Sequence, residues 1–144
     1  MTKPQERIVV GVDGSPASID ALRWAIRQAS LTGATIEAVI GWQYPISSGG
    51  YSIAAATDWA GNAHTTLDTA VDEAAGTPNT EIVRKVVEGH PAQVLVDASA
   101  GADLLVVGSR GRGGFAGLLL GSVSAHLAAH APCPVLVIRH LEPV

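Results

Sequence analysis

The sequence predicts an α/β domain: a single open five-stranded parallel sheet with four helices on its two faces. Two observations carry this. Five short aliphatic runs alternate with four helical segments, and such alternation implies parallel, right-handed crossovers with helices covering both faces. Hydrophobic residues make up 47% of the 144-residue chain but aromatics only 4%. The core must then be built from Ala, Val, Leu and Ile, which suits helices packed closely on a parallel sheet. A chain of this length buries roughly 68–70% of its unfolded surface, enough for a core without staples. Residues 1–144 read as one domain, with no linker, internal repeat or low-complexity segment.

The first strand is RIVVGVD (7–13), a short β-branched run. In the helix that follows, Ser15 suits the N-cap, Pro16 the first turn and Gly33 the C-cap. Ile19, Leu22, Trp24, Ala25, Ile26 and Ala29 form a wide apolar stripe at helical spacing. ATIEAVIGW (34–42) is the second strand, and QYPISSGGYS (43–52) reads as a loop. A long Ala-rich helix runs from about Ile53 to Ala75, with Trp59, Leu67 and Val71 as its bulky anchors, until GTPN breaks it. TEIVRKVVEG (80–89) has one more polar face, which suits an outer strand. A short helix begins near Pro91. DLLVVGS (103–109) is apolar enough for a central parallel strand. SVSAHLAAHA (122–131) is the last helix and CPVLVIRH (133–140) the last strand.

Charge and composition exclude several functions. The formal net charge is −4, and nine basic residues spread along the chain form no basic stripe, so nucleic-acid binding is not expected. The one cysteine, Cys133, excludes an internal disulfide and a cysteine zinc cluster. The N-terminal apolar run is too short for a signal peptide, and no 18-residue apolar window could span a membrane. A cytoplasmic setting is the expectation.

The chemistry concentrates in VVGSRGRGGFAGLLLGSVS (106–124), which holds six glycines, two arginines and three serines. Ligands of open α/β sheets bind beyond the carboxyl ends of the strands. GVDGS (11–15) follows the first strand and GSRGRGG (108–114) the fourth. If those strands are neighbours, both turns face one crevice. Glycines let backbone N–H groups approach an anion, and the first turn of the last helix offers unpaired N–H donors. Ser122 and Ser124 add hydroxyl donors. A Walker A loop fails, since no lysine lies beyond Lys85. GRGGFA (111–116) matches a dinucleotide fingerprint in form, but it follows the wrong strand and only Glu142 lies downstream as an acid. The pattern Gly-x2-Gly-x9-Gly-Ser/Thr is met by Gly108, Gly111, Gly121 and Ser122.

With RIVVGVDGSPAS before it and APCPVLVIR after it, this segment resembles the ATP-binding type of the universal stress protein family over essentially the whole chain. The resemblance implies strand order 3-2-1-4-5, an adenine nucleotide alpha hydrolase-like fold, and ATP as ligand, with Mg²⁺ as a cation that can accompany it. It implies that Gly11, Val12 and Asp13 line the adenosine, with Asp13 at its polar edge, and that the backbone near Gly41 faces adenine. Gly108, Ser109, Arg110, Gly111, Arg112 and Gly113 would surround ribose and phosphates. Gly121, Ser122, Val123 and Ser124 would hold the phosphate tail. Where the family often has histidine and a small aliphatic residue ending the second strand, this chain has Ile40, Gly41 and Trp42. A backbone contact tolerates that change, and Trp42 could border the pocket.

Plainer roles stand beside these. Asp13 suits a turn cap before the first helix, and Ser122 suits a helix N-cap while still binding phosphate. Arg110 and Arg112 could be solvated loop charges. His126 and His130, four residues apart, lack the Glu of a zinc protease and suit a helix C-terminus. Cys133 reads as a small core residue and the tryptophans as packing anchors; His64 and His90 receive no role. The leading function is an ATP-binding regulatory or stress-response protein. The alternative is a slow ATP-hydrolysing or self-phosphorylating enzyme on the same site. A receiver-type domain wants clustered acids and a late lysine, where this chain has a lone Asp13. PVLVIR, apolar on both faces, is an edge strand, and family members commonly dimerise through it. A homodimer across residues 134–139 is the expectation.

Overall fold

The computed structural model describes residues 5–44, 58–76, 81–110 and 120–141. Strands form at the aliphatic runs of the sequence. They are β1 (Arg7–Gly11), β2 (Thr35–Trp42), β3 (Ile82–Glu88), β4 (Leu104–Gly108) and β5 (Val135–Ile138). The helices between them are α1 (Pro16–Thr32), α2 (Trp59–Ala75), α3 (Pro91–Ala98) and α4 (Ser122–His130). All strand pairs are parallel, as the alternation predicts, and the order is β3-β2-β1-β4-β5, as the family resemblance implies.

Alternate residues of β1, β2, β4 and β5 serve two cores. Ile8 and Val10 of β1, with Ile36, Ala38 and Val106, pack under Leu22, Ala25, Leu67 and Val71 of α1 and α2. Val9, Val39, Leu105 and Val107 face the other way, toward Val94, Leu95 and Leu127 of α3 and α4. β1 is buried on both sides because it has a strand on each flank and a helix layer on each face. β3 takes the outer position read from its composition: Val83 and Val87 are exposed. Its Arg84 instead reaches α2, where Asp68 accepts from the guanidinium at 2.7 Å.

Local signals place the helix ends. Ser15 caps α1, its Oγ accepting from Ser18 N at 3.2 Å, and Gly33 ends it in the left-handed region at φ 78°. α2 starts later than the composition suggests. Asp58 caps it by accepting from Gly61 N at 2.9 Å, which sets the first helical residue at Trp59. The expected helical residues 53–57, the loop assigned to 45–52 and most of the GTPN breaker lie outside the described residues. Among the described residues, no helix is long and apolar enough to cross a membrane.

Candidate functional site

β1 pairs on one side with β2 and on the other with β4, so the strand order reverses between β1 and β4. A crevice opens at such a switch point, beyond the carboxyl ends of the strands. Here it is a cavity of about 280 Å³. Gly11, Val12 and Asp13 line it from β1, and Val107, Gly108 and Arg110 from β4. The start of α4 contributes Gly121, Ser122, Val123 and Ser124. Val39, Gly41, Pro91 and Leu95 supply an apolar wall from β2 and α3. Two turns distant in sequence therefore meet across one space.

Asp13 caps a turn and faces the cavity. Its Oδ1 accepts from Ser15 N at 2.8 Å, tightening the turn into α1, while the exposed residue also lines the cavity. Gly108 and Gly41 have a packing reason to be glycine. A Cβ on Gly108 would lie 2.7 Å from Ala17 Cβ and 2.9 Å from Ala17 C, so the first turn of α1 leaves it no room. A Cβ on Gly41 would lie 3.0 Å from Pro91 Cα, where α3 begins. These glycines let helix starts come down onto strand ends, which shapes the crevice.

Ser109 is buried and is not among the residues lining the cavity. Its N–H donates to Ile138 O at 2.7 Å. Its carbonyl accepts from Gly121 N at 2.6 Å and from Ser124 Oγ at 2.8 Å. These bonds tie the end of β4 to the start of α4. Ser124 is thereby corrected as a hydroxyl donor to a ligand: its hydrogen is directed at the carbonyls of Ser109 and Gly121. Gly111, Arg112 and Gly113 lie outside the described residues.

The start of α4 differs from the other helix starts. Side chains cap α1 (Ser15), α2 (Asp58) and α3 (His90). The N-cap of α4 is Gly121, with no side-chain cap bond, so Ser122 is the first helical residue and not the cap expected of it. The tertiary bond from Gly121 N to Ser109 O holds Gly121 in the extended backbone that an N-cap requires. The N–H groups of Ser122, Val123 and Ser124 consequently make no hydrogen bond among the described residues. They lie at the positive end of the helix dipole, and all three residues line the cavity.

Other expectations resolve differently. Trp42 does not line the cavity; its ring stands edge-on to Tyr44 with centroids 5.3 Å apart, and it packs against the α1–α2 core. His90, given no role in sequence, caps α3 through Nδ1, which accepts from Ala92 N at 3.2 Å. The dipeptide His90-Pro91 carried that signal, because proline favours the first helical position. Cys133 is half-buried against the α3–α4 core, and burial pushes its thiol up, away from the reactive thiolate a redox sensor needs. No three His, Cys, Asp or Glu side chains among the described residues stand together as metal ligands.

Residues 5–139 match the family model described as universal stress protein family. The universal stress protein Rv2623 of Mycobacterium tuberculosis is 40% identical over 144 residues, covering 96% of this chain and 47% of that protein. A universal stress protein of Mycolicibacterium smegmatis is 38% identical over 136 residues, covering 92% and 45%. The chain thus spans about half the length of the curated relatives it matches. Among solved structures, the universal stress protein UspA from Lactobacillus plantarum shares the fold, with a TM-score of 0.78 at 23% identity over 96% of this chain and 100% of that one. A universal stress protein in complex with cAMP has a TM-score of 0.66 at 30% identity, covering 92% and 95%.

Proposed function

This chain belongs to the universal stress protein family, and on that premise we propose that it is a cytoplasmic regulatory protein that binds ATP between β1 and β4 and signals by occupancy. The observation that carries the reading is the first turn of α4. It presents the N–H groups of Ser122, Val123 and Ser124, uncapped among the described residues, to the crevice. An anion there accepts several main-chain hydrogen bonds at once. The cAMP complex of a structure 30% identical to this chain supports an adenine nucleotide in particular.

In this reading the adenosine lies against Val39, Gly41 and Leu95, with Asp13 at its polar edge. The phosphates lie at the start of α4 and beside Arg110. Gly111, Arg112 and Gly113 complete the phosphate side as the family resemblance implies. Mg²⁺ would accompany ATP through the phosphates, neutralising part of their charge. Fast hydrolysis needs a placed base and a cationic clamp on the terminal phosphate. Asp13 is the one carboxylate among the described lining residues, and it already accepts a bond from Ser15 N. That favours binding over rapid turnover and leaves slow hydrolysis or self-phosphorylation as the second reading.

A ligand that binds only the folded state stabilises it by RT ln(1 + [L]/Kd), about 2.7 kcal/mol at a hundredfold excess over Kd. Thermal melting should therefore rise with millimolar ATP and not with sulfate at the same concentration. A melting temperature indifferent to ATP would discard the proposal.

A further inference from the structure

A second cavity, of about 440 Å³, opens between the starts of α3 and α4. Its described lining is His90, Ala92, Gln93, Ser122 and His126. Ser122 also lines the first cavity, so the two spaces meet at that residue, and Pro91 of the first cavity is the chain neighbour of His90. His126 follows Ser122 by one helical turn and therefore stands on the same side of α4.

The lining chemistry favours an anion. His90 Nδ1 accepts from Ala92 N, so in the neutral ring the hydrogen sits on Nε2 and makes that nitrogen a donor. Ser122 offers a hydroxyl and His126 an exposed imidazole, its ring 4.5 Å from that of His130. No carboxylate is among the described lining residues; the nearby Asp97 accepts from the Gln93 amide at 2.9 Å. A phosphate chain anchored at Ser122 thus has a donor-lined space beside it.

We infer that this annex receives the terminal phosphates of a nucleoside di- or triphosphate, and that His126 sets the preference for them over a monophosphate. The inference rests on the nucleotide reading above. His126 reaches only the part of the ligand that AMP lacks, so it discriminates by length of the phosphate chain and contributes nothing to adenosine recognition. It is a specificity residue and takes no part in bond breaking.

Isothermal titration with ATP, ADP and AMP tests this on the full chain and its His126→Ala and His126→Gln variants. One charge-assisted hydrogen bond corresponds to about a tenfold change in affinity. His126→Ala should weaken ATP about tenfold and leave AMP unchanged, and His126→Gln, which keeps an N–H donor, should recover part of the loss. Equal weakening of ATP and AMP, or no weakening, would overturn the role of His126. If the unaltered protein binds ATP and AMP equally well, the annex falls while the nucleotide site stands. If it binds no adenine nucleotide, both fall. Because His126 is exposed, the variants should keep the far-ultraviolet circular dichroism of the parent.

Discussion

Gly108 ends β4, lines the crevice and touches the first turn of α1, so a single methyl group there tests how tightly the site is assembled. In Gly108→Ala the new carbon meets Ala17 Cβ and the Ala17–Ser18 backbone, none of which is the free end of a flexible side chain. Overpacking of this kind costs about 1–3 kcal/mol. Urea denaturation should show a lower midpoint with an unchanged slope, and an unmoved midpoint would mean that α1 does not press on β4 as described. The sequence shows that glycines cluster here, and their reading as anion-friendly backbone is sound chemistry. It does not show that Gly108 answers to Ala17 and Gly41 to Pro91, because those partners are brought in by the crossovers. Ser124 teaches the same lesson: a serine beside a glycine loop reads as a donor to ligand, yet its hydrogen goes to the Ser109 carbonyl.

At the scale of elements, legibility follows the range of the interaction that sets each boundary. Both ends of α1 are written locally, by Ser15-Pro16 and Gly33, and the structure follows them. α4 starts at Ser122 as the sequence reading has it, but its cap is Gly121 and not Ser122, because either residue can cap and the choice is made by the bond to Ser109. β5 was read from the sequence as an edge strand, apolar on both faces, and it is one. Its pairing adds what composition could not. The carbonyls of Pro134 and Ile138 accept from Leu105 and Ser109, so the even-numbered residues bond to β4. In a parallel ladder the intervening residues, Val135 and Val137, then turn their N–H and C=O groups to the open edge. An edge of this kind is a template for another chain, and the dimer proposed from the family resemblance would use it. Val137→Pro removes an outward N–H without taking a bond from β4. It should convert a dimer to a monomer in sedimentation, with the fold retained. A dimeric mass that survives the substitution would place the interface elsewhere.

For the whole molecule, the strand order does what no single motif can: it sets the turn after β1 beside the turn after β4. Alternation of strands and helices made the parallel sheet readable, but it leaves several orders open, and the resemblance to universal stress proteins supplied the one observed. Once that order is given, Asp13, Arg110 and the start of α4 converge on one cavity, and the function proposed here depends on that convergence. Amide chemical shifts of the ¹⁵N-labelled protein during an ATP titration test it most directly. The account predicts large, saturable shifts at Ser122, Val123 and Ser124, with accompanying changes at Gly11 and Val12. Shifts confined to other parts of the chain, or none at millimolar ATP, would contradict it.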